Sequence, residues 1–308
     1  MNRKEGPQDP ADRLLNCMAS EGMLRIVLIR GTRLVREARR IHSLSRTATA
    51  AAGRQLMMTA MMAADLKNDG DLISTIIKGN GVAGSMICTG NAELEVKCSL
   101  NNGRAELPPT PEGKLDVGGY VGREGRLTVV SDLGLKEPYV GVCNLVSGEI
   151  AVDFAEYYAA SLQRPALVYL GVREDAESGE VRAAAGLFIE PLPGCPDETI
   201  DALQEKSAQI ARLSERLDGG ETPEAFLADV LGGFGVQILG EREPKYACDC
   251  TIERVERALI STGRAELEDM IERDGGAEVN CRFCGKQYIF TKEALRKLLK
   301  AASVDGNE

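Results

Sequence analysis

Four cysteines near the end of the chain constrain its fold more than any other feature: Cys248-Asp249-Cys250 and Cys281-Arg282-Phe283-Cys284. The chain has nine Cys and one His, His42. The other five, Cys17, Cys88, Cys98, Cys143 and Cys195, are scattered singly and are expected to be small buried hydrophobes. The first thirty residues read as free of a signal peptide, because Arg25 and Arg30 interrupt and close the short apolar run Gly22 to Ile29. No run approaches the roughly 18 apolar residues of a membrane span. A cytosolic protein is expected, in which thiols stay reduced. Clustered thiols in that setting point to metal or redox chemistry.

Zinc takes four soft donors in a tetrahedron. Cys281-x-x-Cys284 followed by Gly285 reads as a metal knuckle, since two intervening residues let both sulfurs face one ion. Cys248-x-Cys250 supplies two donors only if the chain bends sharply at Asp249. No His lies near either pair, so the expected site is all-cysteine, Cys248, Cys250, Cys281 and Cys284, around one zinc ion. Such a site is closed and leaves no position for a reacting water, which argues against hydrolysis. A purely structural staple fits these residues. So does a redox switch, because bound sulfurs are held as thiolates, the form that reacts with peroxide.

The chain reads as three parts: a core domain over 1–194, an amphipathic acidic helical linker over 195–245, and a four-cysteine zinc-binding module over 246–308. In the first, Gly22–Ile29 and Thr32–Glu37 read as short strands. A long Ala/Met-rich helix follows over Ile41–Leu66 and stops at Asn68-Asp69-Gly70. Strands are expected at Leu72–Ile77, Val82–Cys88, Glu93–Leu100, Leu127–Val130, Val140–Leu145 and Leu167–Val172, with a helix over Ile150–Leu162. The fold class is α+β, helices packed on a largely antiparallel sheet. Met57, Met58, Met61 and Met62 could bind clients, but packing against the sheet is the favoured role.

In the linker, Ile200, Leu203, Ile210, Leu213 and Leu217 form a helical stripe ended by Gly219-Gly220, and Thr222-Pro223-Glu224 starts another helix. The linker holds 11 acids and 5 bases, a net −6 out of −10 for the whole chain. In the last module, two helices carry Ile252, Val255, Leu259, Ile260 and then Leu267, Met270, Ile271. Val279–Phe290 reads as a hairpin with the Cys281–Cys284 bend at its tip, and Thr291 caps a final helix. So small a module with few large apolar side chains needs a staple.

The spacing Cys-x-Cys, a gap of thirty residues, then Cys-x-x-Cys resembles the zinc centre of the 33-kDa heat-shock protein family, the redox-regulated holdase chaperones. The surrounding text is similar too: Thr251, Glu253-Arg254-Val255, Tyr288-Ile289-Phe290, Tyr139-Val140-Gly141-Val142, Ser147-Gly148-Glu149-Ile150-Ala151 and Leu192-Pro193-Gly194, with His42 at a place where the family commonly has His. The chain departs from the family pattern at Leu162, Ala185 and Glu190. The resemblance implies a reduced, zinc-bound, inactive form. It implies that oxidation forms the disulfides Cys248–Cys250 and Cys281–Cys284, releases zinc and unfolds the module and linker. The exposed surface then binds unfolding client proteins without ATP, often as a homodimer.

Three other readings compete with this non-enzymatic chaperone. A thiol–disulfide oxidoreductase expects a reactive Cys at a helix N-terminus. A constitutive binding module would use the zinc only as a staple. A zinc-ribbon nucleic-acid binder is disfavoured, because the module's 12 acids and 10 bases form no basic stripe. No membrane partner is expected. The run Gly79-Asn80-Gly81-Val82-Ala83-Gly84 is a poor dinucleotide loop, since strand-like residues follow it.

Overall fold

Burial on every side of one helix sets the architecture. The computed structural model describes residues Pro10–Ala302 and divides the chain into two compact units, Met1–Ala247 and Cys248–Glu308. The first unit begins β1 (Arg13–Ala19), β2 (Leu24–Arg30), α1 (Thr32–His42), α2 (Arg46–Ala63), β3 (Leu72–Gly79), β4 (Ser85–Asn91) and β5 (Glu95–Leu100). It continues α3 (Val117–Val121), β6 (Gly125–Asp132), β7 (Tyr139–Asn144), α4 (Ala151–Glu156), β8 (Leu167–Glu174) and β9 (Val181–Pro191). It ends α5 (Asp197–Glu205), α6 (Ser207–Ile210), α7 (Leu213–Asp218), α8 (Pro223–Leu231), β10 (Gln237–Arg242) and β11 (Lys245–Tyr246).

The α+β class holds, with the strands divided between two sheets. One has the order β10-β1-β2-β9-β8, the other β11-β5-β4-β3-β6-β7, and only the β11–β5 pair is parallel. Helix α2 packs against strands of both, and 16 of its 18 residues are buried. A helix apolar all round belongs inside a core. Met57, Met58, Met61 and Met62 are all buried there, so they pack rather than present a surface.

The five-stranded sheet is covered on both faces. Along β2, Val27 and Ile29 join the core around α2, whereas Leu24, Ile26 and Leu28 join a second core. This is the period-two alternation of a strand. The second core is closed by Leu203, Ile210 and Leu213 of α5–α7 and by Phe226, Leu227, Val230 and Leu231 of α8. The acidic segment therefore rests its apolar stripe on the outer face of this sheet.

Several expectations need correction. Thr32–Glu37 is the start of α1, not a strand. Its cap comes from twenty residues upstream: the Asp12 carboxylate accepts the N–H groups of Arg33 at 3.0 Å and Leu34 at 2.6 Å. The Ala/Met helix begins at Arg46 rather than Ile41, because Ser45 Oγ caps it through Ala48 N–H at 3.1 Å and Ser43 turns left-handed at φ 49°. Residues 237–242 of the expected helical linker form β10, which pairs with the edge of β1. Four of the five single cysteines are buried, but Cys195 is only partly so, beyond the end of β9. Glu190 is buried and neutralised by Arg164, whose Nη2 donates at 2.8 Å, and by Arg25 at 3.4 Å.

Helix α2 approaches α1 and β8 so closely that a Cβ on Gly53 would lie 2.8 Å from Val35 Cγ1 and 2.9 Å from Val172 Cγ2. Replacing Gly53→Val should therefore overpack the core and cost on the order of 1–3 kcal/mol or more. Urea denaturation followed by circular dichroism will show a lower midpoint; an unchanged midpoint would contradict the packing described.

Candidate metal centre

The second unit contains α9 (Ile252–Ser261), α10 (Arg264–Asp269), β12 (Gly276–Asn280), β13 (Gln287–Thr291) and α11 (Lys292–Ala302). Its core is small: Val255, Leu259, Leu267, Ile271, Tyr288, Phe290 and Leu295 are buried, and Cys250 and Cys281 pack against them. Two pieces of irregular backbone bring the four sulfurs to this core.

Cys248 and Cys250 precede α9. Thr251 Oγ1 accepts the Arg254 N–H at 3.3 Å, so the helix starts directly after Cys250. Arg254 also ion-pairs with Asp249 between the two cysteines. Both side chains are about half exposed, so this pair contributes at most about 1 kcal/mol and serves to orient the bend. Cys281 and Cys284 occupy the turn of the β12–β13 hairpin, as the sequence led us to expect. The turn closes through Gly285 N–H to Cys281 O at 2.8 Å and Cys281 N–H to Lys286 O at 2.9 Å. Gly285 takes φ 72°, a left-handed conformation that suits glycine.

All four Sγ atoms lie within 4.8 Å of one another. Cys250 and Cys284 are 3.3 Å apart, and Cys248 and Cys281 3.7 Å. A tetrahedral thiolate site with bonds near 2.3 Å has sulfur–sulfur edges of roughly 3.8 Å, so the donor set fits such an ion. The electrostatics point the same way. Burial pushes the Cys248 thiol up to about 12 and also raises Cys284. Burial raises Cys250 as well, but hydrogen bonds from Tyr288 and from its neighbouring thiols outweigh it and bring Cys250 down to about 7. Four thiolates gathered this closely repel one another, and a bound cation offsets that repulsion.

Tyr288 borders the cluster, a neighbour that the sequence did not single out as a site residue. Its hydroxyl lies 2.8 Å from Cys250 O and 3.2 Å from Cys250 Sγ. Its sequence signals are the family-like run Tyr288-Ile289-Phe290 and the inward alternation of Tyr288 with Phe290 along β13.

Comparison with known proteins agrees with this geometry. The sequence matches the Hsp33 protein family over residues 12–291. The chain belongs to the Hsp33 family. An Hsp33-family relative, the 33 kDa chaperonin of Clostridioides difficile, is 41% identical over 291 residues, covering 94% of this chain and 99% of its own. Another, from Desulforamulus reducens, is 41% identical over 289 residues, covering 94% and 97%. The crystal structure of the 33 kDa chaperonin from Thermotoga maritima, an Hsp33 homologue, superposes with a TM-score of 0.85 at 32% identity, covering 96% of this chain and all of that one. Among the described residues no helix is long and apolar enough to cross a membrane.

Removing the Tyr288 hydroxyl leaves the sulfur ligands in place but takes away a donor to one of them. Tyr288→Phe should weaken affinity for a tetrahedral ion such as zinc by about 10- to 100-fold, the usual effect of losing such a partner. Competition with a chromophoric chelator measures it, and an unchanged affinity would remove Tyr288 from the site.

Proposed function

We propose that this Hsp33-family chain is an ATP-independent cytoplasmic chaperone that oxidation switches on. The observation that carries the proposal is the cluster of four cysteine sulfurs at metal-binding distance in a chain of this family. In the reduced protein, Cys248, Cys250, Cys281 and Cys284 hold one zinc ion. Bound zinc would keep these sulfurs as thiolates and tie the hairpin turn to the segment before α9.

Oxidation pairs Cys248 with Cys250 and Cys281 with Cys284. Each thiolate pair gives up two electrons as its S–S bond forms, and one hydrogen peroxide takes those electrons and two protons from solution to become two waters. The nearest sulfurs in the folded unit belong to opposite pairs, so this pairing follows loosening of the module. Short loops then favour closure between sequence neighbours. Oxidised sulfurs are no longer anionic ligands. Structural zinc contributes about 10–16 kcal/mol in small metal-folded peptides, comparable with the roughly 5–15 kcal/mol that holds a typical domain together. The module over 246–308 therefore unfolds with the loss of its ligands.

The linker over 195–245 responds next. Its departure would bare Leu24, Ile26, Leu28, Leu187 and Ile189 on the outer sheet face, together with its own stripe. Unfolding clients bind such apolar surface, and the activated form is a homodimer. The linker's net −6 keeps the opened protein in solution. The Cys-x-x-Cys pair, Cys281 and Cys284, sits in a hairpin turn, and Cys250 beside the start of α9 is gathered with the other three sulfurs, which favours this reading over a thiol–disulfide oxidoreductase.

Light scattering from a thermally unfolding client tests the proposal. Reduced, zinc-loaded protein should leave scattering unchanged, and protein treated with peroxide at mildly elevated temperature should suppress it. Equal suppression by both forms would eliminate the switch.

A further inference from the structure

A second pair of thiols lies in the first unit. Cys88 on β4 and Cys98 on β5 are directly opposite in the antiparallel register and are 1% and 0% exposed. The backbone N–H and C=O of Cys98 point away from Cys88, toward β11, where Val96 O already accepts the Ala247 N–H. Cys88 and Cys98 are therefore a non-hydrogen-bonded pair, the kind whose Cα atoms approach to about 4.5 Å with side chains close together. That spacing lies within the range a disulfide spans, roughly 4.4–6.8 Å.

The pair sits beneath the last tyrosine of the first unit. Strand β11 has only two residues, paired with Glu95 and Val96, so on that side no strand residue pairs with Cys98. The Tyr246 hydroxyl takes that place. It accepts the Cys98 N–H at 3.2 Å, donates to Cys98 O at 3.2 Å, and lies 3.9 Å from Cys98 Sγ. His42 Nε2 is hydrogen-bonded to the same hydroxyl at 2.8 Å, and His42 also lines a surface groove with Leu100 and Gly103.

The chemistry differs from that of the other buried thiols. Burial raises Cys17 and Cys143 to about 11, as expected for inert core cysteines. Cys98 is lowered instead, chiefly by a hydrogen bond from Cys88 and then by His42, against the effect of burial. Cys88 itself is raised by burial. The hydroxyl beside Cys98 Sγ marks that sulfur as the one to react first, with Cys88 directly opposite to resolve it.

We propose that Cys88 and Cys98 form a second oxidisable thiol pair, kept reduced by the cover of Tyr246. The Cys98 sulfur attacks hydrogen peroxide, the O–O bond breaks, and a sulfenic acid and one water result. The Cys88 sulfur then displaces the sulfenic oxygen, an S–S bond forms, and a second water leaves. Two thiols lose two electrons, and one peroxide is reduced to two waters. Tyr246 is two residues from Cys248, and a two-residue edge strand is held weakly. Unfolding of the module that follows frees Tyr246 and opens the pair. The release step rests on the proposed redox function; the pairing of the two thiols does not.

Full-length zinc-loaded protein and its Tyr246→Phe variant provide the test. Both are treated with hydrogen peroxide at mildly elevated temperature, remaining thiols are blocked with a maleimide under denaturing conditions, and disulfide peptides are mapped by mass spectrometry. In wild type, the Cys88–Cys98 peptide should appear after the cluster disulfides. In Tyr246→Phe, which keeps the ring but loses the hydroxyl, it should form several-fold faster. If Cys88 and Cys98 both carry maleimide while the four cluster cysteines are fully oxidised, the second pair does not exist. If the cluster itself keeps its thiols, the redox function fails. In that case the variant still decides the pair: a Cys88–Cys98 peptide supports it, and maleimide on both overturns it.

Discussion

Four sulfur atoms from two stretches of chain more than thirty residues apart lie within 4.8 Å of one another, and they join the parts of a second unit that has little else to hold it together. Seven buried side chains make up that unit's core, and two of the four cysteines pack directly against it. So few apolar contacts give little stability without a cross-link. The Cys281–Cys284 turn joins the two hairpin strands, and Cys250 leads into α9. A common ligand for the sulfurs joins strand turn to helix start. Tyr288 reaches from the hairpin to Cys250 and ties the same two elements by a hydrogen bond.

The first unit needs no such staple. Its α2 is buried between two sheets, and its five-stranded sheet is covered on both faces. The covers differ in kind. One is a buried helix rich in Ala and Met. The other is a run of short helices, α5 to α8, whose outward faces are strongly acidic. Short helices owe their stability to the surface they rest on, so they are the part of this unit most readily lifted away. Structure, charge and the proposed chaperone function meet at that cover.

Much of this was legible in the residues, and the rest has identifiable physical reasons for being hidden. The cysteine spacing located the cluster, because two short motifs can supply four donors only by meeting. The linker stripe was visible because helical periodicity is local. The alternation in the hairpin placed Cys281 and Cys284 at its turn. Helix α1 was misread because its cap is Asp12, a tertiary contact that no local window contains. Strand β9 was missed because its Ala183-Ala184-Ala185-Gly186 stretch has poor strand propensity; the small residues are needed where a Cβ on Gly186 would already lie 3.0 Å from Ile29 and Leu170. Strand β10 is an edge strand with little burial, so its pattern carries almost no signal. The closeness of Cys88 and Cys98 depends on strand register, which single-residue spacing does not reveal.

Hydrogen–deuterium exchange on the reduced protein, before and after zinc is stripped with a chelator, tests the central claim most directly. The account predicts that amides of α9 to α11 and the β12–β13 hairpin lose protection together when the metal is removed, while those of α2 and the central strands β2 and β9 keep theirs. Unchanged protection across the second unit after complete removal of zinc would contradict it.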